Sequence, residues 1–378
     1  MPAKTSKLVS SPSWPEPEQP RRQATLQLDA PTADKDDQPV RDISAAALIG
    51  DDLFLGADEG AKLERLSPDG RGGWANHTQF DLKDYLDIDA KHSGEVDVEG
   101  LAYDDGWLWI LGSHSRTRPK VGPDDDGCIS VEELADLKDT RPRCLLARVP
   151  LVRSDDGHLV PAKVDGVRKA GKLDQTKHGN ALSEALYDDP LIRPFTALPA
   201  KENGVDLEGI AVAGSRVAIG CRGPVVGTYA LLLEVIIEAK SSGRLKMREP
   251  PVKRLVDLQG TGIRDCKRHG NDLLLLSGPV TNLDGPVALY RWRDWLHDGG
   301  STDDKVRLHQ PEVVMFLPFG QGNDHPEGLA IMRGDDGATE VLLLLDGPSE
   351  QRFQPEKRRI LCDVFELPEP GETESDVD

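Results

Sequence analysis

The sequence predicts an all-β fold of the β-propeller class, and three observations lead to that prediction. A heptapeptide motif containing Glu-Gly occurs three times along the 378 residues. Each copy is followed by a turn and an apolar strand, which is the pattern of a repeated hairpin. The copies recur at intervals close to the period of propeller blades. We therefore expect small antiparallel sheets arranged around a common axis.

The motif defines the inner strand of each predicted blade. Its three clear copies are VDVEGLA, VDLEGIA and DHPEGLA, at Val96–Ala102, Val205–Ala211 and Asp324–Ala330. Two weaker copies have Ser44 and Thr261 at the position of the glutamate. These copies predict five blades, and the long interval between the first two clear copies leaves room for a sixth. The last blade lacks an outer strand of its own, so we expect the N-terminal segment ATLQL at residues 24–28 to close the ring.

The domain prediction is one propeller with flexible ends. Residues 1–22 are rich in Pro, Ser and Lys and residues 368–378 are acidic, so both are predicted to be disordered. The propeller is expected to occupy residues 23–367. The long interval holds two predicted insertions, an acidic one at about 117–143 and one at about 174–200 that includes a helical pattern.

Composition limits the classes of partner. A formal net charge of -20 disfavours binding to nucleic-acid phosphates. No apolar run approaches the roughly 18 residues of a membrane helix, and no apolar segment typical of a secretory signal is present, so we expect a cytoplasmic protein with no membrane partner. The five cysteines are odd in number and widely spaced, which predicts reduced thiols rather than a disulfide framework. A small-molecule or protein partner fits best, while the oligomeric state is not encoded in any pattern.

The three motif glutamates are the main candidate functional residues. Because inner strands of a propeller start on the same face, Glu99, Glu208 and Glu327 are expected to converge near the axis. Converging carboxylates repel one another, so they need protonation, cationic side chains or a metal ion. One interpretation is a divalent cation, Ca²⁺ or Mg²⁺, held by the three glutamates. The alternative is a salt-bridged plug in which the glutamates pair with the arginines that follow or precede the hairpins, namely Arg116, Arg222 and Arg264.

Two further groups have candidate roles. His114 follows a second strand on the same face and is a candidate general base, as is Asp206. The alternative for His114, which the pattern favours, is a surface or hydrogen-bonding histidine. In the first insertion, Asp124, Asp126 and Glu133 occupy three positions of an EF-hand-like loop whose first position is Gly122. They form either a weaker second metal site or a solvated acidic loop that caps a short helix.

The E-G-[L/I]-A inner strand, followed by a strand ending in L-G-S-H-S or x-G-P, resembles a bacterial propeller family of unknown function that is grouped with the phytase-like esterases. The resemblance spans about residues 40–366. The sequence is more distantly similar to the gluconolactonase and senescence-marker propellers, whose inner-strand positions hold a divalent metal that activates water. The resemblance implies Glu99, Glu208 and Glu327 as metal ligands, but this chain has three glutamates instead of a mixed Glu/Asn/Asp set.

These observations support two functional hypotheses of different classes. The first is a metal-dependent hydrolase of a small ester, lactone or phosphoester, in which Arg116, Arg222 and Arg264 bind an anionic group of the substrate. The second is a non-catalytic propeller that presents its loops to a protein partner, with the axial glutamates paired to arginines. Fold class alone does not choose between them.

Overall fold

The computed structural model describes residues 14–29, 43–57, 60–88, 96–119, 121–138, 141–281, 283–299, 301, 305–319, 325–354, 356 and 358–370. Within these ranges the chain is built from β-strands with two short α-helices, as expected for a propeller. The helices are α1 (Val131–Ala135) and α2 (Ala181–Asp188), and each lies in one of the two predicted insertions.

The strands follow one another along the chain mainly as hairpins. In chain order they are β1 (Arg22–Gln27), β2 (Ile43–Ile49), β3 (Asp52–Ala57), β4 (Lys62–Pro68), β5 (Trp74–Asp81), β6 (Val98–Asp104), β7 (Trp107–Gly112), β8 (Leu146–Arg153), β9 (Leu159–Pro161), β10 (Val164–Asp165), β11 (Arg168–Lys169), β12 (Gly171–Lys172), β13 (Gln175–Thr176), β14 (Gly179–Asn180), β15 (Asp206–Ala213), β16 (Arg216–Gly223), β17 (Ala230–Ala239), β18 (Leu245–Met247), β19 (Val252–Val256), β20 (Gly262–His269), β21 (Asp272–Gly278), β22 (Val287–Trp292), β23 (Arg307–His309), β24 (Glu312–Leu317), β25 (His325–Arg333), β26 (Thr339–Asp346), β27 (Phe353–Gln354) and β28 (Arg359–Glu366).

In the part of the chain that the structure describes, these strands include five antiparallel groups of four, which we call blades I to V. Blades I and V belong to one nine-stranded sheet, and β9, β18, β23 and β27 pair with strands of the blades. From the inner strand outward, the strand orders are β2-β3-β4-β5, β6-β7-β8-β12, β15-β16-β17-β19, β20-β21-β22-β24 and β25-β26-β28-β1. The inner strands β2, β6, β15, β20 and β25 each contact the next, and β25 contacts β2, so they close a ring. The protein is a β-propeller.

The predicted closing strand is present in blade V. β1 pairs antiparallel with β28, with Leu26 opposite Ile360, and it also makes a parallel bridge to β5 of blade I through Leu26 and Trp74. Leu26 is fully buried. An early segment of the chain therefore supplies the outer strand of the last blade and covers an edge that would otherwise be open.

The hydrophobic core is divided among the spaces between neighbouring blades. Each of five apolar clusters joins residues of two adjacent blades; the cluster between blades II and III, for example, includes Trp109, Ile210 and Leu233. Helix α2 adds Leu182 and Leu186 to that cluster, so the second insertion is anchored in the core. Because each cluster needs both of its blades, burial of apolar area holds the sheets in a closed circle.

The chain ends that were predicted to be disordered lie partly outside the described residues. Of residues 1–22, the described part contacts the propeller: Trp14 packs edge to face on Phe316, and Glu18 N–H donates to Phe316 O at 2.8 Å. At the other end, Arg291 donates to Pro368 O at 2.6 Å. No helix in the described ranges is long and apolar enough to cross a membrane.

The five cysteines all lie within the described residues and carry thiols, not disulfides. Four of them are buried, namely Cys144, Cys221, Cys266 and Cys362, whereas Cys128 in the first insertion is exposed.

Candidate functional site at the propeller hub

One residue near the start of each inner strand is skipped in the pairing with the second strand. The pairing register shifts around this residue in all five blades, which is the pattern of a β-bulge. We call the skipped residues the hub ring; they are Ser44, Glu99, Glu208, Arg264 and Glu327. The three motif glutamates therefore occupy equivalent positions around the axis, as the repeat predicts.

The glycine after each motif glutamate is required by the close approach of neighbouring inner strands. A Cβ atom on Gly209 would lie 2.5 Å from the backbone nitrogen of Cys266 in the next inner strand. On Gly100 it would lie 2.9 Å from Glu208 O, and on Gly328 it would lie 2.9 Å from Ser44 O. In each Glu-Gly pair the glutamate is thus the bulged residue, and the glycine position after it has no room for a side chain.

The fourth copy of the motif is shifted relative to the sequence alignment. Thr261 was assigned to the glutamate position, but the structure places Arg264 there. Thr261 instead donates its hydroxyl to Leu258 O at 2.6 Å, just before β20. The misleading signal is Gly262, which resembles the motif glycine but serves a different contact, since a Cβ there would lie 2.0 Å from Arg222 O.

Arginines from blades III and IV neutralise the hub carboxylates. Arg264 Nη1 donates to Glu327 Oε1 at 2.5 Å and lies 3.3 Å from Glu208 Oε1. Arg222, at the end of β16, contacts Glu208 Oε1 at 2.8 Å and Asp206 Oδ2 at 2.5 Å. All five side chains of these pairs are largely buried, so the interactions are only weakly screened by solvent.

Burial shifts the titration of these groups. It raises the pKa of Glu208 to about 8, because desolvation outweighs the stabilising charges of Arg222 and Arg264. Burial also raises the pKa of Asp206. The surrounding carboxylates, with Glu99 among them, outweigh the effect of burial on Arg222 and raise its pKa, so this guanidinium stays charged.

A second buried acid at the hub was not found from the sequence. Asp97 precedes the first motif glutamate by two positions, forms an ion pair with Arg143 and accepts a hydrogen bond from the Ser113 hydroxyl at 3.1 Å. Burial raises its pKa to about 7. The recurring Val-Asp of VDVEGLA and VDLEGIA was an available signal, since Asp206 occupies the same position in blade III.

The donor set of the hub does not fit the predicted divalent cation. Glu208 and Glu327 direct their oxygens to guanidinium groups, and Glu99 is only partly buried. Among the described residues, no three His, Cys, Asp or Glu side chains are arranged to hold a metal ion. A cation would have to displace Arg264 from both of its glutamates, so the geometry matches the salt-bridged alternative at Arg222 and Arg264.

A pocket of about 240 Å³ opens at this end of the hub. We call it the hub pocket. Its polar lining consists of Lys201, Arg222, Arg264, Thr281, His325, Glu327 and Asp346, and Pro279, Leu283, Val287, Phe319 and Pro326 form its apolar side. Lys201 comes from the second insertion, which therefore contributes to the rim. Asp206 and Glu208 lie behind the two arginines and do not line the pocket.

His114 occupies a structural position instead of the pocket. It is buried with a φ of 53°, its Nδ1–H donates to Gly112 O at 2.8 Å, and Asn180 Nδ2 donates to its Nε2 at 3.0 Å. Burial lowers the pKa of His114 to about 4. Both nitrogens are occupied, so this geometry favours the hydrogen-bonding role that the sequence left open over the role of general base.

The remaining predicted site residues lie away from the hub ring. Arg116 donates its Nε–H to Thr196 O at 2.8 Å and so connects β7 to the second insertion, not to a glutamate. In the first insertion, Asp124 accepts backbone hydrogen bonds from Asp126 and Cys128, and Glu133 follows the helix cap Ser130. These are the contacts of the capped acidic loop, and Asp124, Asp126 and Glu133 do not form a three-ligand group.

The sequence was compared with those of known protein families. A family model described as a protein of unknown function, DUF3616, matches residues 42–363. The chain belongs to the DUF3616 family. The match begins at β2 and ends within β28, so the part of the chain typical of DUF3616 includes all five inner strands and the hub ring. Strand β1 lies before the matched region. No curated protein matches the sequence.

Several solved structures are similar to this DUF3616 chain, but their sequence identity to it is low. They include an α-L-arabinofuranosidase from Clostridium thermocellum, with 10% identity, 85% of this chain and 87% of that chain covered, and a TM-score of 0.42. An α-L-arabinanase mutant from Cellvibrio cellulosa has 11% identity, 87% and 93% coverage and a TM-score of 0.40. Glutaminyl cyclase from Myxococcus xanthus has 9% identity, 93% and 100% coverage and a TM-score of 0.37. Similarity at this level does not assign an activity.

Proposed function

We propose that the protein is a hydrolase of a small ester, lactone or phosphoester and that the hub pocket is its active site. The observation that carries the proposal is that Arg222, Arg264 and Glu327 line one pocket while each arginine keeps a buried Nε–H with no acceptor among the described residues. An unpaired buried donor costs roughly 1–3 kcal/mol. Two cationic side chains beside a carboxylate at one pocket are suited to an oxygen-rich ligand.

The chemistry follows from the positions of these groups. Arg222 and Arg264 bind the carbonyl or phosphoryl oxygen and stabilise the negative charge that develops on it. Glu327, oriented by Arg264, accepts a proton from the attacking water and returns it to the leaving oxygen as the scissile bond breaks. Lys201 at the rim binds a further anionic group of the substrate. The pocket volume of about 240 Å³ restricts the substrate to a small molecule.

The test is a hydrolysis panel of small esters, lactones and phosphoesters, run with EDTA and separately with Ca²⁺, Mg²⁺ or Mn²⁺. We expect activity that Glu327→Gln lowers by roughly 10²-fold or more, the usual size of a general-base contribution. Lys201→Ala should mainly raise KM. Lys246→Ala, on the outer edge of blade III, is the matched control. Inactivity of the folded wild type throughout the panel would rule the proposal out.

A divalent cation at the hub is a separate proposal. Ca²⁺ or Mg²⁺ bound by Glu99, Glu208 and Glu327 would have to replace the contacts of Arg264, which is the argument against it. A bound cation raises the midpoint of thermal unfolding by mass action. An equal midpoint in EDTA and in each cation, or an equal rise in wild type and Glu99→Gln/Glu208→Gln, excludes this site.

The second candidate function is a non-catalytic module that binds a protein partner. The ion pairs of Arg264 with Glu327 and of Arg222 with Glu208 favour it, because they are what internal struts require. In that case Glu327→Gln should reduce stability without changing any activity. Recovery of a partner whose binding depends on the exposed insertion residues Ile129 and Val131, together with an inactive panel, would support the module.

A further inference from the structure

The far end of the propeller channel holds a second ring that the proposed function does not use. Three positions after each hub-ring residue, the inner strands place the last residue of the E-G-[L/I]-A motif. These residues are Ala47, Ala102, Ala211, Lys267 and Ala330. All five line one cavity of about 370 Å³, together with the residue that follows each of them, namely Leu48, Tyr103, Val212, Arg268 and Ile331. We call this cavity the far pocket.

The far pocket exists because four of the five ring residues are alanines. An alanine side chain ends at Cβ, so the ring leaves space on the axis that larger side chains would fill. Leu101 and Ile210 add to its apolar wall. The volume lies within the range of roughly 300–1,000 Å³ that is usual for small-molecule sites. Since every blade contributes, the pocket is a property of the repeat itself.

Lys267 gives the far pocket a single buried donor group. Lys267 is only 8% exposed. Its Nζ donates to Leu101 O and to Asp265 Oδ1, each at 2.9 Å. An ammonium group has three N–H donors. The third has no acceptor among the described residues. Asp265 is itself fixed by the backbone N–H groups of Cys266 and Leu329, at 2.8 Å and 2.9 Å, so the position of the ammonium is rigid.

The charges at the far pocket are already paired. Lys267 is paired with Asp265, and Arg268 donates to Asp104 at 3.1 Å. Asp105 lies exposed at the rim, where solvent screens it. A ligand that carries a full charge would therefore lose its hydration without gaining an uncompensated counter-charge. A neutral ligand with one hydrogen-bond acceptor matches this wall better.

We propose that the far pocket binds a small neutral molecule with an apolar body and one carbonyl oxygen, which accepts the third hydrogen bond of Lys267. The apolar body packs against Leu48, Ile331 and the alanine methyl groups. This site is at the opposite end of the channel from the hub pocket and is independent of the proposed hydrolase activity.

The test uses the four alanine methyl groups as reporters in protein labelled at alanine methyls. Cyclohexanone should shift the NMR signals of Ala47, Ala102, Ala211 and Ala330 together and to saturation. Fluorobenzene has a similar size but no carbonyl, so it should bind at least about tenfold more weakly, the effect of one hydrogen bond to a charged donor. Cyclohexanecarboxylate and cyclohexylammonium should also bind more weakly than cyclohexanone.

Two sets of variants test the volume of the far pocket and the ammonium group of Lys267 separately. Ala102→Leu and, independently, Ala47→Leu fill the pocket and should abolish the shifts of the remaining alanines. Ala213→Leu, on the same inner strand as Ala211 but outside the lining, should leave binding unchanged. Lys267→Met combined with Asp265→Asn removes the ion pair as a unit and should reduce binding of cyclohexanone to that of fluorobenzene.

Each alternative outcome overturns a defined part of the proposal. Absence of saturable shifts with every probe rules out the site. Equal affinity for cyclohexanone and fluorobenzene rules out the role of Lys267, and tightest binding of the carboxylate rules out a neutral ligand. If Ala102→Leu does not fold, Ala47→Leu decides the same question, because the two alanines lie in different blades.

Discussion

Arg264 of blade IV donates to Glu327 of blade V across a distance of 2.5 Å, and both residues occupy the same bulge position of their inner strands. Arg264 also lies next to Glu208 of blade III, so one cation within the ring contacts a carboxylate on each side. The repeat therefore contains its own counter-charge. Arg222 adds a second cation from outside the ring.

Replacement of Arg264 should destabilise the hub strongly. Arg264→Met leaves Glu208 and Glu327 buried without their shared cation, and removal of one partner of a buried pair costs about 3–5 kcal/mol. The loss should be smaller at pH 5 than at pH 8, because burial raises the pKa of Glu208 to about 8 and its protonated carboxyl needs no counter-charge. Urea unfolding at both pH values measures this difference. Arg264→Met/Glu327→Gln should recover part of the loss, and exposed Arg248→Met should have little effect.

Glu208 should make stability fall as pH rises. Its pKa is about 8 in the folded protein against an ordinary value of 4.5, so between these values the folded state keeps a proton that the unfolded chain releases. The free energy of unfolding should therefore decrease from about pH 4.5 to pH 8. Asp97 adds to the same trend, since burial raises its pKa to about 7.

The measurement is urea unfolding of wild type and Glu208→Gln across this range. The variant should lose part of the pH dependence and gain stability relative to wild type at high pH. Exposed Glu238→Gln is the control and should keep the wild-type slope. A Glu208→Gln variant with an unchanged slope would contradict the assignment of the raised pKa.

Asn180 should couple His114 to the second insertion. Its Oδ1 accepts from Ser183 N at 3.0 Å as the cap of α2, while its Nδ2 donates to His114 and to Cys144 O. Asn180→Ala should cost at least about 1 kcal/mol, the typical value of a helix cap alone. Asn180→Asp keeps the cap acceptor but places a carboxylate beside His114.

Histidine NMR distinguishes these effects. In wild type, His114 should not titrate until pH approaches 4. Its own contribution to stability, opposite in sign to those of Glu208 and Asp97, should be lost as pH decreases from about 6.5, because the unfolded chain takes up a proton first. In Asn180→Asp the pKa of His114 should rise. Titration of wild-type His114 near pH 6.5 would show that the ring is accessible and would reopen its role as a base.

Gly209 should tolerate no side chain. A Cβ atom there meets backbone atoms of Asp265 and Cys266 at 2.8 Å and 2.5 Å, and backbone cannot move aside as a flexible side chain does. Gly209→Ala should cost roughly 1–3 kcal/mol or more, as overpacking does elsewhere. Gly122→Ala is the matched control because nothing lies within 4 Å of its Cβ position. Equal stability of the two variants in urea would contradict the close approach of β15 and β20.

The sequence predicted the fold well because inner strands have a local signature. Glu99, Glu208 and Glu327 were placed together correctly, since an identical motif at a regular period implies an identical place in each blade. The same motif also contains Ala102, Ala211 and Ala330, which line the far pocket, but nothing in the sequence indicated that these alanines surround a cavity. The predicted cytoplasmic location stays a prediction.

The partners of the glutamates were harder to predict because they come from different blades. Arg264 was suggested as a counter-charge, but its place inside the ring was hidden by Gly262, which imitates the motif. Arg116 looked equivalent to Arg222 in sequence, yet it is drawn to Thr196 of the second insertion. Arg143 gave no local signal at all, because its pairing with Asp97 depends on how the first insertion returns to β8.

The position of β1 has a consequence for biosynthesis. The ribosome makes Arg22–Gln27 before the five inner strands, but its partner Arg359–Glu366 emerges after all of them. Until then, the early segment has no sheet to join and the last blade is incomplete. Contacts between such distant segments form slowly, so the propeller cannot close until every strand between these two has been synthesised.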